Sequence, residues 1–383
     1  MKQDMKCRII TGGRVADVVP CLNDYPSIYI VADRNVAHLA EKVAEALSYK
    51  TAEGVRDNSF ASRLSGGVFY IDATEENKSM STVLDICRWL MGSGADRNAL
   101  VLAIGGGITT DMAGFAAAIY KRGVHVVYIP TTFLSQVDAA IGGKTGVNFE
   151  NYKNILGVIR QPEFTYVCPE ALGSLPYRDF LSGAAELLKT FIIDNFDGNY
   201  GKAVSVLSRI HESPDSSRAI AEHSVELEAL IGAAAKIKAG VVERDEFEQG
   251  ERRKLNLGHT FAHAIEWECW SMQKLQTDAQ GHTSSFHGGI SHGEAVAMGI
   301  IMAAKVSERY YEGGESLADK LAADFRSCGL PTACPFPPAS LSGAMQKDKK
   351  AENGIVHFVL IHDIGDVRVE DLAVRDAIRM LSE

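Results

Sequence analysis

Two histidines four residues apart have the clearest capacity for chemistry in this chain. His259 and His263 lie in the segment KLNLGHTFAHAIE, residues 254–266. In a helix this spacing puts both imidazoles on one face, where they can bind one metal ion or one anion. Helices whose histidines bond only to backbone carbonyls show the same pattern. Residues elsewhere in the chain must therefore decide between a site and a structural pair.

Further candidate metal ligands lie on either side of this segment. Glu186 and Lys189 are three residues apart in SGAAELLKTF, and His292 opens the segment HGEAVAMG. Catalytic zinc sites usually take three protein ligands and keep one position open. The residues alone leave four candidates for such a site, namely Glu186, His259, His263 and His292. For Glu186 and Lys189 the alternative is an ion pair on the surface of an amphipathic helix.

A run of three glycines, Gly105 to Gly107, lies in IGGGITTD between a predicted strand and a predicted helix. Glycine has no Cβ, so a phosphate can approach the backbone amides, and the helix N-terminus favours negative charge. The run predicts a phosphate-binding turn. A tight strand-to-helix connection without a ligand is the alternative.

The segment 130–148, PTTFLSQVDAAIGGKTGVN, carries several polar groups close together. Asp138 precedes a glycine pair and Lys144, and Lys153 and Asn154 follow shortly after. A lysine beside two glycines can reach an anion as a point charge. This mixture of donors predicts a binding site for an anionic small molecule.

The elements that position these residues alternate between strand and helix in the first half. Short β-branched runs predict strands at 27–33, 67–73, 99–107 and 124–132, and helical periodicity predicts helices at 36–47, 81–94 and 111–123. Such alternation is typical of a parallel α/β sheet. After Pro176 nearly every segment has helical period, apart from a short late strand at 357–361. We therefore predict a Rossmann-like α/β domain over residues 1–174 and a mainly α-helical domain over residues 175–383.

The polar segment from Ser271 to Ser291 is predicted to be a long loop. Loops of this length are usually functional lids or mobile insertions. His282 and His287 within it are expected to be solvated. Glu294, just beyond, is expected to be a first-turn charge that the helix dipole favours rather than a ligand.

Composition narrows the class of protein. The 383 residues are 46% hydrophobic and 23% charged, as in ordinary globular proteins. A net charge of −10 without any Lys/Arg-rich tract argues against nucleic-acid binding, although an anionic small substrate remains compatible with it. The N-terminal residues MKQDMKCRII lack a long apolar region, so no signal peptide is predicted, and no apolar run is long enough to predict a membrane span. The seven widely spaced cysteines indicate reduced thiols. These features predict a cytoplasmic enzyme without a membrane partner.

Several long motifs together resemble a known family. They are GGGxxxDxxGFxAAxYxRG, IPTTxLxQVDxxxGGKTGVN, LPxRxxxxGxAExxK, RxxLNxGHTxxHAxE and HGEAVAxG. In this order, over about residues 25 to 365, they resemble the sugar-phosphate cyclases, and among them most closely the 3-dehydroquinate synthase family.

The resemblance implies a role for each matching residue. The metal, Zn²⁺ or Co²⁺, would be bound by Glu186, His259 and His292. The catalytic set would be Lys144, Asn154, Lys189 and His263, with His263 at the substrate phosphate. Other substrate contacts would come from Asp138, Lys238, Arg252, Asn256 and one of Lys349 or Lys350, and from Arg122 of a neighbouring subunit in a homodimer. NAD would be bound by Asp33, Asn35, Glu75, Lys78, Gly106, Gly107, Asp111, Thr131 and Thr132.

The resemblance also implies a reaction. A carbon–oxygen lyase of the shikimate pathway would convert 3-deoxy-D-arabino-heptulosonate 7-phosphate to 3-dehydroquinate and phosphate. Transient oxidation by NAD would acidify a C–H bond, phosphate would leave, and reduction and an intramolecular aldol reaction would close the ring. Because the hydride returns to the substrate, the net reaction is not a redox one.

Three other functions remain as alternatives. Another sugar-phosphate cyclase would share the metal and NAD residues but would act on a substrate without a carboxylate, which Lys238, Arg252 and Asn256 disfavour. A glycerol-dehydrogenase-type enzyme would need no such basic cluster for a neutral polyol. A catalytically silent paralogue would not need an intact set of metal ligands.

Overall fold

The computed structural model describes residues 7–48, 63–150, 152–280, 289–312, 316–346 and 355–382. The chain packs as two units. The first comprises Met1–Phe180 with Leu227–Phe247, and the second comprises Leu181–Glu226 with Glu248–Glu383. The predicted assignment of roles to residues 1–174 and 175–383 stays a prediction.

The described part of the first unit has eight strands. They are β1 (Ile9–Thr11), β2 (Ile28–Asp33), β3 (Leu64–Ile71), β4 (Leu100–Gly105), β5 (His125–Pro130), β6 (Lys144–Phe149), β7 (Tyr152–Ile159) and β8 (Phe164–Val167). Six of them form one sheet in the order β1-β8-β5-β4-β2-β3, and all of its pairs are parallel. The predicted parallel α/β sheet is confirmed. The remaining two, β6 and β7, pair antiparallel as a separate hairpin.

Helices cover both faces of this sheet. They are α1 (Ala37–Ser48), α2 (Met80–Gly92) and α3 (Gly107–Ile119). Side chains alternate along a strand, so Ile28 and Ile30 of β2 enter the core on the α1 side, and Tyr29 and Val31 enter the core beside α2 and α3. Burial on both faces explains why these strands are continuous apolar runs in the sequence.

The carboxyl ends of the parallel strands share one edge of the sheet. The strand β4 pairs with β2 on one side and with β5 on the other, while β3 lies outside β2. Successive connections therefore run in opposite directions on either side of the β2–β4 gap, which is where such sheets bind ligands. Asp33 ends β2 and Gly105 ends β4, so both flank this gap.

The second unit is mainly helical, as predicted. The helices over residues 177–382 are α4 (Tyr177–Ile193), α5 (Asn199–Glu212), α6 (Ser216–Glu222), α7 (Ser224–Arg244), α8 (His259–Gln280), α9 (His292–Tyr310), α10 (Leu317–Ser327), α11 (Pro338–Gln346) and α12 (Val374–Ser382). One antiparallel hairpin accompanies them, β9 (Ile355–Asp363) with β10 (Asp366–Ala373). The late strand predicted at 357–361 lies within β9. Most of α7 belongs to the first unit, where Ala235 and Ala239 pack with Cys7 and Ile141.

The predicted loop from Ser271 to Ser291 is wrong in its first half, because α8 continues to Gln280. Residues 272–280 contain neither glycine nor proline and are rich in good helix formers. Residues 281–288, with His282 and His287, lie outside the described residues. Ser291 and Glu294 form a capping box at the start of α9, which confirms Glu294 as a first-turn charge.

Glycines let α8 and α9 approach closely. Gly258 has a φ of +78°, and a Cβ on Gly299 would lie 2.2 Å from the Gly258 carbonyl oxygen. A side chain at either position would push the two helices apart. Elsewhere, all seven cysteines are free thiols. No helix among the described residues has the length and apolarity needed to cross a bilayer.

Candidate metal and substrate site

Three potential metal ligands meet in the second unit. Glu186 lies on α4, while His259 and His292 are the first residues of α8 and α9. Each imidazole Nε2 is 3.6 Å from Oε1 of Glu186, and the three ligand atoms lie within 4.8 Å of one another. The structure thus brings together residues that are 106 positions apart in the chain (186 to 292). A Glu/His/His set suits Zn²⁺ or Co²⁺.

Hydrogen bonds fix the orientation of both imidazoles. Nδ1 of His259 lies 3.2 Å from the Leu257 carbonyl oxygen, and Nδ1 of His292 lies 3.2 Å from Oε1 of Glu266. Because these partners are acceptors, each Nδ1 carries the proton and donates it. Each Nε2 then faces Glu186, and this nitrogen is the one that a metal would bind, as in histidines whose Nδ1 is held by an acceptor.

The Glu186 carboxylate is a buried charge with few partners. Its side chain is fully buried, and its closest cation is the Lys189 ammonium, 2.5 Å from Oε2. Apart from that ammonium, neither oxygen has a hydrogen-bond partner among the residues that the structure describes. Buried carboxylates of this kind are usually paired or bound to a metal. The residues therefore fit a divalent cation, and the surface ion pair considered for Glu186 and Lys189 is wrong because both side chains are buried.

Charge and burial act in opposite directions on these groups. Burial raises the pKa of Glu186, but the Lys189 charge and the two histidines hold that pKa well below its usual range. Burial lowers the pKa of His259 to about 3, and the Lys189 charge acts in the same direction. Burial lowers the pKa of His292 as well, yet the neighbouring Glu186 and Glu266 carboxylates raise that pKa overall to about 10.

A close backbone approach holds His292 beside Glu186. A Cβ on Gly293 would lie 2.2 Å from Cα of Ser182, one turn before Glu186 on α4. The hydroxyl groups of Ser182 and Ser291 also lie 3.3 Å apart. Only glycine fits at position 293, so the start of α9 is packed directly onto the α4 backbone.

Other predicted substrate residues of the second unit lie in α8 or just before it. His263 is exposed one turn after His259, with the two ring centroids 5.6 Å apart. Arg252 is 3% exposed in the 3₁₀ helix Glu251–Asn256, which leads into α8. Asn256 Nδ2 donates to Oε1 of Glu248 at 2.5 Å.

A polar cluster in the first unit contains further predicted residues. Lys78 Nζ lies 2.5 Å from Oδ2 of Asp111 and 2.6 Å from Oδ1 of Asn154. Asn154 has a φ of +51°, and its backbone N–H donates to the Asn148 side chain. Asn148 in turn donates to Oε1 of Glu75 at 2.8 Å. Burial raises the pKa of Asp111 to about 6, although the Lys78 charge opposes the shift.

A second ion pair of the first unit joins two predicted substrate residues. The Lys238 ammonium lies 2.7 Å from Oδ1 of Asp138 and donates to the Asp138 carbonyl oxygen at 2.7 Å. Lys238 is only 7% exposed. Burial with a fixed partner orients this ammonium and restricts its rotamers.

The glycine run forms a cradle of backbone amides at the sheet edge. Gly106 is the N-cap of α3 and provides no side-chain cap, so the first amides of the helix remain available. A Cβ on Gly106 would lie 2.9 Å from Cγ2 of Thr132, and one on Gly107 would lie 3.0 Å from Cβ of Ala139. Thr131 is buried directly after β5. These features fit the pyrophosphate of a dinucleotide.

Asp33 lies on the other side of the β2–β4 gap. Its side chain accepts a hydrogen bond from the Asn35 backbone N–H at 3.0 Å, and burial raises its pKa. An acidic residue at the end of a strand beside a glycine turn is the usual partner of a ribose hydroxyl.

Two further predicted residues of the first unit, Lys144 and Arg122, are exposed, and Arg122 has a φ of +69°. Lys349 and Lys350 lie outside the described residues. Conversely, Glu266 was not predicted as a site residue, although its position seven residues after His259 places it on the same face of α8. Helical spacing was thus the signal that could have identified it.

Two family models match most of this chain. Residues 68–182 match the N-terminal family model described as 3-dehydroquinate synthase, and residues 183–351 match the corresponding C-terminal model. The chain belongs to the 3-dehydroquinate synthase family. The resemblance inferred from the motifs is therefore confirmed, and the matched region contains all three residues of the candidate metal site.

The chain is also similar to individual members of the family and to solved structures. The 3-dehydroquinate synthase of Acidithiobacillus ferrooxidans is 38% identical over 350 residues, which cover 90% of this chain and 85% of that protein. The structure of 2-epi-5-epi-valiolone synthase from Streptomyces hygroscopicus, with NAD⁺ and Zn²⁺ bound, aligns with a TM-score of 0.78 at 25% identity. The alignment covers 100% of this chain and 97% of the synthase chain. A 2-deoxy-scyllo-inosose synthase complexed with carbaglucose-6-phosphate, NAD⁺ and Co²⁺ has the same fold, with a TM-score of 0.74 at 22% identity and 98% of each chain covered.

Proposed function

We propose that this chain is a 3-dehydroquinate synthase that converts 3-deoxy-D-arabino-heptulosonate 7-phosphate to 3-dehydroquinate and phosphate. The observation that best supports this proposal is the buried Glu186 carboxylate, which two oriented imidazoles face. The chain also matches both the N-terminal and the C-terminal model of the family. A catalytically silent paralogue would have no need to keep this costly arrangement.

The cofactors would be NAD and Zn²⁺ or Co²⁺. Glu186, His259 and His292 would hold the metal, and the cradle at Gly106 and Gly107 would hold the dinucleotide phosphates with Asp33 at a ribose. When bound, NAD⁺ supplies a reversible hydride acceptor and the metal a Lewis acid at a substrate hydroxyl.

The basic residues of the chain would bind the two charged ends of the substrate. Arg252 is a buried guanidinium next to Asn256, and a guanidinium matches the planar geometry of a carboxylate. His263 would donate a hydrogen bond to the substrate phosphate. A neutral polyol would gain nothing from these groups, so the basic set favours this reaction over that of a polyol dehydrogenase.

Asp138, Asn154 and Lys238 of the first unit would also contact the substrate. Asp138 holds Lys238 in place, and Lys78 does the same for Asn154. Groups fixed in this way lose little entropy on binding, which is the contribution that positioning makes to rate.

The test measures phosphate and NADH together. With Zn²⁺ and NAD⁺, purified protein should release phosphate from the heptulosonate phosphate without accumulating NADH, since the hydride returns to the substrate. Glu186→Gln should abolish phosphate release, whereas Glu268→Gln, a charge removal on α8 outside the ligand set, should leave it intact. Steady NADH formation on a polyol would overturn the proposal. Phosphate release from a sugar phosphate without a carboxylate, but not from the heptulosonate, would favour another cyclase.

We also propose a homodimer in which Arg122 acts in the neighbouring subunit's site. Arg122 is exposed, and its backbone conformation is unusual for a residue other than glycine, which supports a specific role for this position. The cytoplasmic location stays a prediction, supported by the free thiols.

A further inference from the structure

Glu266 contacts a metal ligand without belonging to the ligand set. It lies two helical turns after His259 on α8, so both side chains project from the same face. Its Oε1 lies 3.2 Å from Nδ1 of His292, the first residue of the neighbouring helix α9. Glu266 therefore links the face of α8 that carries His259 to the ligand on α9.

His292 depends more on such a partner than the other two ligands do. Its side chain is 36% exposed, compared with 14% for His259 and 0% for Glu186. A half-exposed imidazole at a helix start has more rotamers available than a buried one. His259 is oriented by the Leu257 carbonyl only two residues away, but His292 is oriented by a carboxylate from a different helix.

The chemistry of the contact determines which nitrogen faces the metal. A carboxylate that accepts a hydrogen bond from Nδ1 of His292 keeps a proton on that nitrogen, so Nε2 is the nitrogen whose lone pair can bind a metal. A charged acceptor on Nδ1 also makes Nε2 a stronger donor to a cation.

We propose that Glu266 is a positioning residue, which fixes the tautomer and orientation of His292 for metal binding. The inference rests on the metal site of the proposed function. It adds a fourth protein group to that site, one that acts through His292 and does not touch the metal or the substrate.

The experiment measures metal binding directly. The dissociation constant for Zn²⁺ is measured by competition with a chromophoric chelator for the wild type, Glu266→Ala, Glu266→Gln and Glu268→Gln. We expect about a 10- to 100-fold weaker affinity for Glu266→Ala and an intermediate loss for Glu266→Gln, which retains an acceptor oxygen without the charge. Glu268→Gln removes a charge from another face of the same helix and should stay within twofold of the wild type.

The visible spectrum of the Co²⁺-loaded protein provides a second readout. The d–d bands should shift or change in intensity in both Glu266 variants but not in Glu268→Gln, whereas a purely structural defect would leave the bands of the protein that still binds Co²⁺ unchanged. A Zn²⁺ affinity of Glu266→Ala within twofold of the Glu268→Gln value, or unaltered Co²⁺ bands in both variants, would overturn the inference. If Glu266→Ala does not fold, the nearly isosteric Glu266→Gln decides.

Failure of this inference and failure of the proposed function are distinguishable. If the Zn²⁺ affinity depended on Glu266 but the wild-type protein released no phosphate from the heptulosonate, only the function would be refuted. Phosphate release together with Glu266-independent metal binding would refute only the inference.

Discussion

Replacement of Gly293 by alanine should damage the metal site without altering any ligand. The new Cβ would lie 2.2 Å from Cα of Ser182 and 2.7 Å from its carbonyl oxygen, and both of these atoms belong to the α4 backbone. Real Cβ contacts are essentially never shorter than 3.0 Å, so α4 and the start of α9 must separate by about 0.8 Å. His292 precedes Gly293 and Glu186 follows Ser182 by one turn, so this shift moves two ligands apart.

The expected loss follows from the tolerance of metal coordination. Ligand distances in functional sites are held to about 0.2 Å, which is several times smaller than the required shift. We therefore expect Zn²⁺ affinity to fall at least ~10-fold. The metal-free protein should also lose roughly 1–3 kcal/mol of stability, as is typical when a packed contact is overfilled.

The assay compares two glycine-to-alanine variants by chelator competition and thermal unfolding. Gly201 lies on α5, and a Cβ at that position would meet no atom within 4 Å. Gly201→Ala should keep wild-type Zn²⁺ affinity and at least wild-type stability. Adding Ser182→Gly to Gly293→Ala should not restore binding, because the colliding atoms are backbone. Equal Zn²⁺ affinity in the two alanine variants, or rescue by Ser182→Gly, would refute the reasoning.

Three further predictions concern the substrate, pH and the dimer. Arg252→Ala should raise KM for the carboxylated substrate at least ~10-fold while changing NAD affinity little, because a buried charge partner would be lost. If steady-state kinetics and NAD titrations showed that the affinities for substrate and NAD fall equally, the carboxylate role would be contradicted. The folded-state pKa of Asp111, about 6, exceeds the ordinary aspartate value of 3.8, so this group's stabilising contribution is complete below pH 3.8 and is lost as pH rises through 6. Thermal unfolding at several pH values should therefore show that the free energy of unfolding of Asp111→Asn rises by up to about 3 kcal/mol relative to that of the wild type between pH 4 and 7. If the difference in unfolding free energy between the two proteins did not change with pH, the raised pKa of Asp111 would be contradicted. Separately inactive Arg122→Ala and Glu186→Gln proteins should regain part of their activity when their subunits are mixed, since each mixed dimer would contain one intact site, and a mixture without activity would exclude Arg122 acting between subunits.

The sequence predicted the parallel sheet and its phosphate turn because their signals are local. The strand β2 is a continuous apolar run, and a run of three glycines ends β4, so neither depends on distant residues. The choice among metal ligands was not local. Spacing alone offered His259 and His263 equally, and family resemblance favoured His259; in the structure His259 faces Glu186, while His263 is exposed.

Where sequence reasoning failed, long-range packing or unusual local composition was responsible. The segment after Ser271 is polar, which suggested a loop, but polarity is equally compatible with an exposed helix. The contact between Glu266 and His292 depends on how α8 and α9 pack, which no periodicity specifies. The association of α7 with the first unit likewise arises from tertiary contacts of Ala235 and Ala239.

The route of the chain between the two units has a consequence for synthesis on the ribosome. The first unit is not a continuous stretch, since residues 227–247 return to it after a helical excursion. The bond between Lys238 and Asp138 spans 100 residues, so it can form only after the excursion has been translated. A nascent chain that ends near residue 180 would carry the sheet but lack one of its packing helices. The first unit is therefore complete only after residues that follow Glu186 have been translated, and no single cut in the gene would separate the two units.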